Sequence, residues 1–114
     1  MENADNNKID IGNDVIATIA AGAINRVPGV YGMHGNIIDD VMNMLGKRQY
    51  SKGVFVEPLD NGSVNIEVHI VVEFLSNIPL IAQSVQKEIK EYVEKLSTVK
   101  VSEVKVFVDD VVRP

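Results

Sequence analysis

The stretch VNIEVHIVVEF, Val64 to Phe74, alternates between apolar and other residues along most of its length. Successive side chains of a strand point to opposite faces, so Val64, Ile66, Val68, Ile70, Val72 and Phe74 make one continuous apolar face. Asn65, Glu67, His69, Val71 and Glu73 make the other face. Just upstream, GVFVEPL (Gly53 to Leu59) reads as a second strand, with Pro58 marking a strand end or an edge. Between the two lies DNG (Asp60 to Gly62), a tight-turn signal, because Asn and Gly tolerate positive φ. An antiparallel hairpin with one apolar face follows, and the rest of the chain must cover that face.

Two amphipathic segments are suited to do so. The first carries Ile16, Ile19, Ala20, Ala23 and Val27 at helical spacing, with Asn13 or Asp14 as the expected N-cap and an end near Arg26, ahead of Pro28. Its alanine-rich face permits a close approach to a sheet. The second is opened by Asn77, with Pro79 in the first turn, where a missing N–H does no harm. Its expected buried stripe is Ile78, Ala82, Val85, Ile89, Val93 and Leu96, and Glu91–Lys95 is spaced for an i, i+4 pair. A short helix is expected from Asn36 to Leu45, with Asp39 and Asp40 in its first turn and Lys47 and Arg48 beyond its end. VYGMH (Val30 to His34) and Val99 to Val112 read as further strands, and KIDI (Lys8 to Ile11) as a short strand or an extended lead-in. The expected architecture is α+β: two main helices and one short helix packed on one face of a small three- to four-stranded mixed sheet. Residues 1–8 are expected to be a flexible N-terminus and residues 9–114 a single domain.

Composition limits the function. The 114 residues suit one domain, and a 46% hydrophobic content with only 5% aromatic residues calls for an aliphatic core. With no cysteine, disulfides, thiolate metal sites and cysteine catalysis are excluded, which fits a reducing cytoplasm. The net charge of −5 argues against DNA binding and against direct adhesion to anionic lipid. The longest apolar run, Val15 to Ile24, is about half of the ~20 residues that a membrane span needs.

The candidate chemistry is sparse. Glu67, His69 and Glu73 share one strand face, but a catalytic zinc needs three converging ligands, and a polar outer face accounts for the pattern without a metal. Asp39–Asp40 and Asp109–Asp110 read as helix capping and a solvated strand end, with Asp109 and Asp110 pointing to opposite faces. The serines sit in turns or exposed positions without a nucleophile elbow. Gly29, Gly32 and Gly35 lack the order of a dinucleotide fingerprint. GMHG (Gly32 to Gly35) has the GxxG spacing of KH-type RNA-binding loops, with Lys47, Arg48 and Lys52 nearby, but the loop itself carries no basic residue, so RNA is disfavoured as a partner. No cofactor is implied. The feature that stands out is a partly apolar outer sheet face of Phe55, His69, Val71, Phe107 and Val111, ringed by charged residues, and patches of that kind mark interfaces.

From Ile9 to Val112 the chain resembles the alkaline shock protein family, the envelope stress response proteins of Gram-positive bacteria. The resemblance is carried by DVIATIAAGAINRVPGVYGM, by KGVFVE, by NIPLIAQSVQKEIKEYVEKL (Ile78-Pro79, Ala82, Val85-Gln86) and by VSEVKVFVDDV. The chain departs from the family pattern where Ser97-Thr98-Val99 replaces Thr-Gly-Leu and Val104-Lys105-Val106 replaces Val-Asn-Val. The resemblance implies a non-enzymatic cytoplasmic protein of envelope stress and homeostasis. Members of that family tend to form homo-oligomers, and some sit at the membrane through a partner, which points to a membrane-anchored or envelope-associated protein as the partner class. The other functions weighed are regulation of a lipid- or envelope-synthesis enzyme and KH-like RNA binding.

Overall fold

The computed structural model describes residues 9–33, 50–51 and 53–113. The short helix expected from 36 to 45, the N-terminus expected to be flexible over 1–8 and the basic residues at 47, 48 and 52 lie outside the described residues.

Helix α1 spans Asn13–Ile24. Its N-cap is Gly12, whose carbonyl accepts from the N–H groups of Val15 and Ile16, so neither Asn13 nor Asp14 caps it as expected. The helix ends at Ile24, slightly before Arg26, and the chain tightens as Arg26 and Val27 donate to the carbonyls of Ala23 and Ile24. Ile16, Ala17, Ala20, Ala23 and Ile24 are buried. Strands β1 (Val30–Met33), β2 (Tyr50–Ser51), β3 (Val54–Pro58) and β4 (Val64–Glu73) follow; residues 9–12 carry no regular structure. The β3–β4 hairpin forms as expected. Gly62 has φ +88°, and Asn61 Oδ1 accepts from the Ser63 N–H (3.0 Å) and hydroxyl (2.6 Å).

Helix α2 spans Ile78–Leu96, and Asn77 Oδ1 accepts the Leu80 N–H at 3.1 Å. The buried row is Ile81, Val85, Ile89 and Val93, an i, i+4 row, while Ile78 and Leu96 at the two ends are exposed. The ion pair on this helix is Lys90–Glu94 (3.1 Å) rather than Glu91–Lys95, and Glu94 is also held by the Val101 N–H (2.9 Å). The helix needs no glycine at its exit. Ser97 leaves in an extended conformation, and its hydroxyl donates to the Val93 carbonyl while accepting the Val99 N–H. Strand β5 then runs Val101–Val112.

Among the described residues, β4 is the hub of a five-stranded mixed sheet. β5 lies parallel to it along one edge, from Val64↔Val101 to Glu73↔Val112. The other edge is shared: β3 pairs antiparallel with Val64 to Val68, and β1 with Ile70 to Val72. β2 pairs with β3 and is the strand that sequence periodicity missed, being too short to show a pattern. Both helices contribute to one core with the even-numbered residues of β4, so the helix layer covers one face of the sheet.

Candidate functional site

The face of the sheet opposite the helices carries the odd-numbered residues of β4. Asn65, Glu67, His69, Val71 and Glu73 are half-buried, whereas their even-numbered neighbours are buried. Phe55 of β3 lies opposite Glu67 and is also half-buried. Phe107 of β5 pairs with His69, and the two rings stack with centroids 4.7 Å apart and planes 9° from parallel. Phe107 remains 39% exposed.

His69 sits between two carboxylates. Its Nδ1 is 2.8 Å from Asp109 Oδ2 and its Nε2 is 2.9 Å from Glu67 Oε2. A neutral imidazole has a single N–H and can donate to one of these carboxylates at a time; the imidazolium donates to both. Because the carboxylates lie on opposite nitrogens of one ring, they do not converge on a common point. Among the described residues, no group of three His, Asp or Glu side chains is placed to hold a metal. The sequence pointed to Glu67 and His69. It read Asp109 as a solvated strand end, because the two residues are far apart in the chain and only the β4–β5 register brings them together.

A bulge in β5 corrects two expectations. The register shifts between Ile70↔Val108 and Val71↔Asp110, inserting one residue and changing the parity of the strand beyond it. Val111 therefore pairs with the core-facing Val72 and does not share the outer face with Phe107, although it is exposed. Asp110 comes into register with the outward Val71, so Asp109 and Asp110 both belong to the outer side. Of the five expected face residues, the structure brings together Phe55, His69, Val71 and Phe107 and separates Val111 from them. A shallow depression beside them is lined by Phe55, Glu57, Asn65, Glu67, Glu103 and Lys105, an open site with charges of both signs. Gly32 and Met33, the first half of the GMHG motif, lie in β1 and pair with Val71 and Ile70. They are thus strand residues and not part of a loop of the KH type.

The chain as a whole matches the model of the alkaline shock protein 23 (ASP23) family, described as having a cell envelope-related function, over residues 1–113. The chain belongs to this family. Related proteins of this kind occur in Bacillus and Streptococcus. The chain is 35% identical over 101 residues to the uncharacterized YqhY of Bacillus subtilis (strain 168), covering 89% of this chain and 74% of that one. It is 32% identical over 106 residues to the uncharacterized YloU of the same strain, covering 91% and 88%. It is 30% identical over 105 residues to the uncharacterized Spy1614 of Streptococcus pyogenes serotype M6, covering 90% and 86%. Among solved structures the fold is similar to a zinc form of MamM CTD, with a TM-score of 0.52, 12% identity, and coverage of 85% of this chain and 84% of that one. At that identity the likeness concerns the fold alone. For this family member, no helix among the described residues is long and apolar enough to cross a membrane.

Proposed function

We propose that this family member is a non-enzymatic binding module of the cell envelope that works by self-association through the outer side of its sheet. In this reading it is cytoplasmic and reaches the envelope by holding a membrane-anchored or envelope-associated protein. The observation that carries the reading is the exposed Phe107 ring stacked on His69, on the side of the sheet that neither helix covers. The exposed part of that ring, on the same face as Val71 and Phe55, would gain from a partner that covers it. The surrounding Glu67, Lys105 and Asp109 supply the polar rim that interfaces carry.

Sedimentation velocity on the wild type and Phe107→Asp tests the reading. The wild type is expected to assemble with rising concentration. The variant is expected to stay monomeric with an unchanged circular dichroism spectrum, since Phe107 contributes nothing to the core cluster. A Phe107→Asp protein that assembles like the wild type would remove this face as the interface.

A further inference from the structure

Among the described residues, β5 is the longest strand of the sheet and pairs only with β4. The direction of its backbone groups follows from the hydrogen bonds around it. Val64 N–H donates to the Lys100 carbonyl and Phe74 N–H to the Val112 carbonyl, so β4 turns its even-numbered groups toward β5. His69 and Glu73 donate the other way, to the carbonyls of Gly53 and Gly29. In β5, Glu103, Lys105 and Phe107 therefore turn their backbone groups to β4, whereas Val101, Val104, Val106 and Val108 turn theirs to the outer edge.

The first part of that edge is closed by α2. Glu94 Oε2 accepts the Val101 N–H (2.9 Å), Lys90 Nζ donates to the Val101 carbonyl (3.0 Å), and Gln86 Nε2 donates to the Val104 carbonyl (3.1 Å). The closure stops there. Among the described residues, no hydrogen bond is made to the outward groups of Val106 and Val108. An open strand edge is a template for another strand.

We infer that this open edge pairs with the same edge of a second copy of this chain, antiparallel about a two-fold axis at Phe107, so that two sheets become one. The inference rests on the self-association proposed above and specifies its geometry. The occupant is a second copy because the edge is complementary to itself. With the axis at Phe107, Val106 lies opposite Val108 of the partner subunit, and the two exchange both backbone hydrogen bonds. Phe107 meets Phe107 of the partner subunit at the closer, non-hydrogen-bonded position, an aromatic cross-strand pair. On the same outer face, Lys105 lies opposite Asp109 of the partner subunit, and by symmetry the pair occurs again. Neighbouring registers lack this match. An axis at Lys105 opposes two lysines, an axis at Val106 opposes Glu103 to Asp109, and an axis at Val108 opposes Phe107 to Asp109. A two-fold interface of this kind is closed, with no residual edge to propagate from the paired segment.

Amide hydrogen exchange of the full chain, read by NMR at low and high protein concentration beside sedimentation on the same samples, tests the inference. The expected result is assembly together with slowing of the Val106 and Val108 amides by at least about tenfold at high concentration. Assembly that leaves those two amides fast overturns edge pairing while the self-association reading stands. A chain that stays monomeric throughout overturns both. A charge exchange checks the register. Lys105→Glu and Asp109→Lys each place like charges opposite one another and should each weaken assembly about tenfold. An equimolar mixture restores opposite charges at both positions and should recover it. Weakening without recovery on mixing overturns the register.

Discussion

At the scale of single residues, two backbone positions show where glycine is needed and where it is missing. Gly29 has φ +93°, and a Cβ built there would lie 2.6 Å from Cδ1 of the buried Ile81. Its carbonyl also accepts the Glu73 N–H at 3.0 Å, tying the α1–β1 connection to the end of β4. Gly29→Ala therefore meets both backbone strain and a clash, and should cost about 2 kcal/mol, read as a lower urea midpoint. Leu75 is the converse case, with φ 69° and 87% of its surface exposed in the turn after β4. Its side chain has little packing to lose. Leu75→Gly relieves the left-handed strain, partly offset by the greater freedom of glycine when unfolded, and should gain about 0.5 kcal/mol in the same measurement. A loss would show that Leu75 packs on something in solution.

At the scale of elements, α2 organises both the core and an edge. Its buried row packs on the sheet, and its Gln86, Lys90 and Glu94 side chains reach the backbone of β5. The Val101 N–H and then Lys90 hold the Glu94 carboxyl below the ordinary glutamate range. With the folded pKa depressed, ionised Glu94 stabilises the fold above the unfolded-state value, and that contribution fades as pH falls through the lower folded value. Glu94→Gln should thus be less stable than the wild type near neutrality, and the gap should close on acidification below the ordinary glutamate value. Urea midpoints across that range check this; a gap constant with pH would show that the charge is not involved. The β5 bulge acts at this scale as well, turning Asp109 and Asp110 to one side and Val111 to the other.

At the scale of the whole molecule, the layers are asymmetric. Both helices bury their apolar rows on one face of the sheet, and the core closes there. The opposite face keeps Phe107 exposed, with His69, Glu67 and Asp109 bonded around it. The same asymmetry makes Phe107→Asp a clean probe, because the substitution touches the outer face and leaves the core cluster intact.

The local features were legible in the chain. The alternation of β4, the Asn61–Gly62 turn, the Asn77 cap and the apolar rows of both helices depend on residues close in sequence, and each formed within a few residues of its expected place. Sequence alone also marked Phe55, His69, Val71 and Phe107 as one face, since strand parity is a local property. What only the tertiary structure decided is how separate strands meet. The parallel β4–β5 register, the bulge that moves Val111 away, the Asp109–His69 contact and the partial closure of the β5 edge by α2 all join segments far apart in the chain. Register between such segments is set by which packing of the whole core leaves fewest unpaired backbone groups and least exposed apolar surface, and no local pattern records that balance.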